Sequence, residues 1–184
     1  MNTSDILLEA LNELNTELQE SEISINLTII GSMAIHLNGL NFTRMTEDID
    51  YINYRPTPQF LEITKRIATK FNLPNDWINS RANEINPLPI ELKKKLKTDT
   101  RYSNIILSYI DIETTIIMKV YAYYIRNLEK DLSDLKLLSP TQEQITKGIA
   151  YLELQIKYHH GENQLLKDQG EIQNFKEFLK NELK

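Results

Sequence analysis

The apolar run Leu27-Thr28-Ile29-Ile30 breaks at Gly31-Ser32, and fifteen residues separate Ser32 from the triplet Asp48-Ile49-Asp50. A run of strand length that ends at Gly-Ser reads as a strand turning into a helix. Glycine at such a turn lets a ligand approach the backbone, and the free N–H groups that open the helix favour an anion. Asp48 and Asp50, two residues apart on a second strand, fall on one face at a spacing of about 6.5 Å. Carboxylates that close repel unless a cation or a proton lies between them.

The chemistry that needs a phosphate turn beside paired acids is metal-assisted phosphoryl or nucleotidyl transfer, with Mg²⁺ (or Mn²⁺) held by one or two carboxylates and the substrate's phosphates. The chain of 184 residues contains no cysteine, which excludes disulfides, thiolate zinc sites and a cysteine nucleophile. Its three histidines, His36, His159 and His160, leave little for a histidine-centred mechanism. With 26 acidic and 21 basic residues the net charge is −5, so contact with RNA has to be focal. The strongest basic focus is Lys93, Lys94, Lys95 and Lys97, with Arg101 nearby; it reads either as an exposed helix face or as a seat for an RNA backbone. Asp5, Glu9 and Glu13 in the first turns do not fit a signal peptide, and no stretch approaches eighteen apolar residues. The expectation is a cytoplasmic chain with no membrane partner.

Periodicity fills in the remainder. Leu7, Leu8, Leu11, Leu14 and Leu18 form the stripe of a first helix that Ser4 would cap. Strands are expected over residues 23–30, 48–54 and 104–110, a short helix over 33–40, and a helix over 58–71. Residues 77–88 lack a clear period and read as loop or short turns. Ile117, Val120, Tyr121, Tyr124 and Leu128 mark one face of a long helix. Ser139-Pro140-Thr141-Gln142 reads as an N-cap, a first-turn proline and a capping-box glutamine for a helix from Pro140 to about His160. A last helix follows from about Glu162, weakened at Gly170. The expected organisation is an α/β core over residues 1–112, a small mixed sheet flanked by helices, and a helical C-terminal region over 113–184.

The stretch from Leu27 to Tyr51 resembles the nucleotidyltransferase superfamily related to polymerase β, whose hallmark is a Gly-Ser turn followed by Asp-x-Asp. Arg44-Met45-Thr46-Glu47-Asp48-Ile49-Asp50 is similar to the Arg-x-Thr-x-Asp-x-Asp form of a bacterial branch that includes abortive-infection-type toxins. Downstream, Lys119, Arg126, Lys130, Asp131 and Asp134 match that branch's order of a helical lysine, an arginine, a Lys-Asp pair and a further aspartate. The likeness implies that Gly31, Ser32, Arg44, Thr46, Lys119, Arg126, Lys130 and Asp131 bind a nucleoside triphosphate, and that Asp48 and Asp50 hold Mg²⁺. A third carboxylate, serving as base or metal ligand, would come from Asp111 or Glu113. Lys119, Arg126 and Lys130, at i, i+7 and i+11, would form a cationic stripe beside the apolar one. Tyr121, Tyr123 and Tyr124 either stack a base or belong to the core.

The expected activity is transfer of a nucleoside monophosphate to a hydroxyl, with a toxin acting on tRNA as one form. The alternative is a non-catalytic chain that binds nucleotide, RNA or a partner such as a cognate antitoxin.

Overall fold

β1 (Ile25–Ile29) is the central strand of the sheet, with a neighbour on each edge. It runs antiparallel to β2 (Ile49–Ile52), with Ile29 opposite Tyr51, and parallel to β5 (Ile105–Tyr109), with Ile29 level with Tyr109. β3 (Ile78–Asn79) adds parallel to β2 and β4 (Lys97–Asp99) adds antiparallel to β5, so the order is β3-β2-β1-β5-β4. The computed structural model describes residues 3–40, 46, 48–84, 88–89, 92 and 94–183. Arg44 and Lys93 lie outside them.

The chain divides into two compact units, Met1–Ile85 with Lys95–Asp111, and Asn86–Lys94 with Ile112–Lys184. The first holds the sheet together with α1 (Thr3–Glu20), α2 (Gly31–Leu37) and α3 (Pro58–Phe71). α3 occupies the expected span because its local signals agree: Thr57 accepts a hydrogen bond from the Phe60 N–H, proline stands at N1, and Asn72 closes the helix in the left-handed region. α1 begins at Thr3, so Ser4 lies inside its first turn and not at its cap. The buried faces of α1 (Leu7, Leu11, Leu14, Leu18) and α3 (Phe60, Ile63, Ile67) pack together. The ion pairs Arg66–Glu17, at 2.6 Å, and Lys70–Glu13 border that seam. Trp77, fully buried, donates its indole N–H to the Thr64 carbonyl at 3.0 Å.

Three expectations about the first unit change. The stretch after Trp77 carries β3 as well as a short turn of the kind expected there, a 3₁₀ turn (Arg81–Glu84), and Lys97 of the basic run stands in β4. Strands of two and three residues have no pattern of their own; pairing to β2 and β5 creates them. Asp48 precedes β2 by one residue, and the strand ends at Asn53, whose positive φ of 69° and hydrogen bond to the Thr28 hydroxyl turn the chain before Pro56.

The second unit is helical: α4 (Ile112–Arg126), α5 (Glu129–Leu138), α6 (Gln142–His160) and α7 (Glu162–Glu182). Among the described residues no helix is long and apolar enough to cross a membrane. α7 runs unbroken through Gly170. The capping box of α6 stands two places later than expected, formed by Thr141 and Gln144. Ser139 is occupied as the left-handed C-cap of α5, at φ 46°, so the next helix has to wait for Thr141.

α4 and α6 approach closely at Gly148, where an added Cβ would sit 2.7 Å from Val120 Cβ and 2.8 Å from Val120 Cγ2. Gly148→Ala gains about 1 kcal/mol of helix propensity. Overpacking a rigid seam of this kind costs about 1–3 kcal/mol. A net loss in urea denaturation is expected, recovered when Val120→Ala is combined with it; a more stable single variant would show that the helices separate freely.

Candidate active site

Gly31 follows β1 at φ +67°, a conformation glycine adopts without strain. Its neighbour Ile30 donates its N–H to the Asp50 carbonyl at 3.0 Å, which pins the turn to β2. A Cβ at position 31 would stand 3.2 Å from Asp50 Oδ2. The turn is therefore glycine for two reasons, conformation and the approach of a carboxylate. α2 has Ile30 as its N-cap with no side-chain capping bond, so Ser32 sits within the first turn and does not cap the helix as the sequence suggested. Asn38, the C-cap of α2, donates to the carbonyls of Ala34 at 2.7 Å and Ile110 at 2.9 Å, and its side-chain oxygen accepts from Lys97 at 2.7 Å. This ties the far end of α2 to β4 and to the end of β5.

Asp48 and Asp50 are both half-buried, while Ile49 and Tyr51 between and after them are fully buried. Strand alternation explains the pattern. The Ile49 N–H donates to the Trp77 carbonyl at 2.7 Å, so β3 holds this segment from its outer side. Asn79 of β3 is level with Asp50, and its amide donates to Asp48 Oδ2 at 3.3 Å. Thr46, buried, donates its hydroxyl to the Asp48 carbonyl at 3.2 Å. Asn79 thus orients one acid of the pair; nothing in the aperiodic stretch around it signalled this, because a two-residue strand leaves no pattern. His36 is half-buried on α2.

The two residues offered as a third carboxylate have different surroundings. Asp111 follows β5, where the Ile110 N–H donates to the Ile29 carbonyl at 3.2 Å. Continuing the parallel register past Tyr109 sets Asp111 level with Gly31, on the side of β1 away from β2. Its side chain is largely buried and 4.0 Å from Lys95. Glu113, in the first turn of α4, is paired with Lys147 at 2.6 Å. Together with Glu143, Glu113 raises the lysine's pKa through hydrogen bonding. Among the described residues no group of three or more His, Asp or Glu side chains is arranged around a metal position.

In the helical unit, α4 ends at Arg126, Asn127 turns left-handed at φ 48°, and α5 starts afresh with Leu128 as its N-cap. Lys119, Arg126 and Lys130 therefore do not lie along one helix, and the expected stripe is broken. Lys119 is buried and ion-paired with Asp131 at 3.1 Å and Asp134 at 2.5 Å, both of which are buried as well. Arg126, half-exposed, also reaches the Asp131 Oδ1 atom at 2.7 Å, while Asp131 Oδ2 is buried with no hydrogen-bond partner among the described residues. Two cations and two carboxylates balance there. Lys130 is exposed. Tyr121 packs edge-on against Tyr151 at 5.7 Å, as the core reading of that residue has it.

No curated protein and no solved structure matches the chain. A family model does, over residues 5–181, and that span runs through both units. The chain belongs to the DUF6036 family, described as a nucleotidyltransferase of unknown function.

Proposed function

We propose that the chain moves a nucleoside monophosphate from a nucleoside triphosphate to a hydroxyl of RNA. The observation that carries this reading is the bare backbone of Gly31 against Asp50 Oδ2, a glycine turn set against one of the two acids of Asp48-Ile49-Asp50. Two carboxylates suit Mg²⁺, which commonly takes one or two from the protein and completes its octahedron with phosphate oxygens and water. Asp48 and Asp50 would hold the ion, which when bound supplies charge stabilisation to the phosphoryl group and the departing pyrophosphate.

The chain's own residues do the remainder. Asn79 keeps Asp48 in place, and the Gly31-Ser32 turn offers its N–H groups and hydroxyl to the phosphates. The acceptor oxygen attacks the α-phosphorus, the bond to pyrophosphate breaks, and Asp111 takes the hydroxyl proton as general base. Lys95 and Lys97, exposed at the β4 edge, steer the acceptor's backbone. Assignment of tRNA as the acceptor rests on likeness to the toxin branch alone.

The test is incubation with each α-labelled nucleoside triphosphate, Mg²⁺ and total cellular RNA, followed by separation of labelled RNA from labelled protein. Labelled RNA is the expected result. Lys95→Gln with Lys97→Gln should raise the acceptor KM and reduce the salt slope by about 0.7 for each phosphate no longer neutralised, leaving triphosphate binding unchanged. Label on protein would replace RNA as the acceptor. No label from any triphosphate that binds would overturn transfer and leave a nucleotide-binding chain.

A further inference from the structure

The last turn of α4 and the C-terminal half of α7 border an open pocket of about 350 Å³, lined by Tyr123, Tyr124, Asn127, Asn174, Phe175 and Phe178. Four of its six residues are aromatic. Phe175 meets Tyr124 edge-on at 5.1 Å and Tyr123 at 5.8 Å, and Phe178 leans on Tyr123 at 6.1 Å. The rings brace each other, and the two carboxamides stand exposed at the rim. Such a surface suits either a planar base or an organic cation, since both bind aromatic faces.

Electrostatics decides between them. Burial first raises the pKa of Tyr123, and the carboxylates of Glu129 and Glu182 raise it further against the opposing Lys136. Burial likewise raises Tyr124, with Asp168 and Glu171 adding to it. Lys136 is itself paired with Glu182 at 2.9 Å. α4 ends here too, and the C-terminal carbonyls of a helix favour positive charge. A nucleotide would bring its phosphates towards Glu129, Asp168 and Glu171 and a helix C-terminus, whereas a cation would be drawn to both. The apolar surface continues beyond the pocket, with Leu128 beside Asn127 42% exposed and Phe178 39% exposed. An occupant that covers these as well is larger than a free metabolite.

We propose that this pocket receives an arginine side chain from a basic, apolar-flanked segment of a partner protein. The guanidinium lies against the accessible rings of Tyr124 and Phe178, with buried Tyr123 bracing them from below, the Asn127 and Asn174 carbonyl oxygens accept its N–H groups, and the flanking apolar residues cover Leu128. Arginine fits better than lysine because its planar, weakly hydrated head stacks on rings and donates in several directions. The assignment is independent of nucleotidyl transfer, since none of its residues belongs to the carboxylate site.

The test uses the full-length protein, ¹⁵N-labelled, titrated with the peptide acetyl-Leu-Arg-Leu-Arg-Leu-amide. The parallel probes are the same peptide with citrulline for arginine, tetramethylammonium chloride, and adenosine. Saturable shifts at residues 123–128 and 174–178 are expected for the arginine peptide, with the isosteric neutral citrulline peptide about fivefold weaker or worse. Phe175→Leu, which keeps apolar volume and removes a ring, should weaken the arginine peptide by a similar factor. Asp168→Asn with Glu171→Gln should weaken it and flatten its salt dependence, and this pair leaves the packing intact if Phe175→Leu lowers the melting temperature. Equal binding of both peptides would overturn the cation, and preference for adenosine would make the pocket a base site. Tetramethylammonium binding as tightly as the peptide would overturn the partner, and absence of saturable shifts would overturn the site.

Discussion

Lys119→Met is expected to destabilise the protein by about 3–5 kcal/mol, the usual cost of removing one partner from a buried ion pair. Lys119 lies between Asp131 and Asp134, and all three are buried. Methionine keeps the length and helix propensity of lysine, so the change removes the charge and little else. Arg126 remains on Asp131, but Asp134 is left without this partner in a region that water hardly reaches. The urea midpoint reads the effect directly. Adding Asp131→Asn and Asp134→Asn to Lys119→Met removes the two carboxylate charges, and about half or more of the loss should return, because neutral hydrogen-bonding groups are far cheaper to bury than unpaired carboxylates. Arg126→Gln should cost less than Lys119→Met, since the arginine is half-exposed and its pair is screened by solvent. A loss below about 1 kcal/mol for Lys119→Met would show that the pair does not hold α5 to α4.

Asp48→Asn combined with Asp50→Asn should abolish binding of nucleoside triphosphate with Mg²⁺, weakening it by about 100-fold or more, since even outer-shell changes around a metal cost about 10- to 100-fold. Stability should hold or rise slightly, because two like charges at close range repel in the empty protein. Calorimetric titration of parent and variant with the Mg²⁺ complex, beside a thermal melt of each, separates these effects. Asn79→Ala supplies the graded control: it removes the donor to Asp48 Oδ2 and keeps both acids, so about a tenfold loss is expected. Parent-like affinity in the double variant would remove Asp48 and Asp50 from the site and with them the reading of the turn at Gly31.

Local signals were legible wherever a contiguous stretch held all the participants. α3 begins and ends where Thr57, Pro58 and its apolar positions require, and the Gly31 turn follows from a glycine after an apolar run. The mixed α/β class and its helical C-terminal region were legible for the same reason, as was the resemblance that the family match supports.

Long-range pairing was not legible. β3 and β4 are too short to show a period, and exist because β2 and β5 offer open edges. Asn79 acquires its part only through that pairing, since its partner Asp48 lies thirty-one residues away. Ser139 and Thr141 are both good caps by composition; the left-handed turn that closes α5 assigned the first to one helix and the second to the next. Lys119 read by its spacing as one member of a cationic stripe with Arg126 and Lys130, and the turn at Asn127 broke that stripe by folding Asp131 and Asp134 back onto the lysine. Sequence by itself determined the elements whose free energy is decided within a few residues, by caps, periodicity and backbone freedom. The tertiary structure decided which edges pair and which charges are buried, because those free energies depend on segments that meet only after the chain has closed long loops.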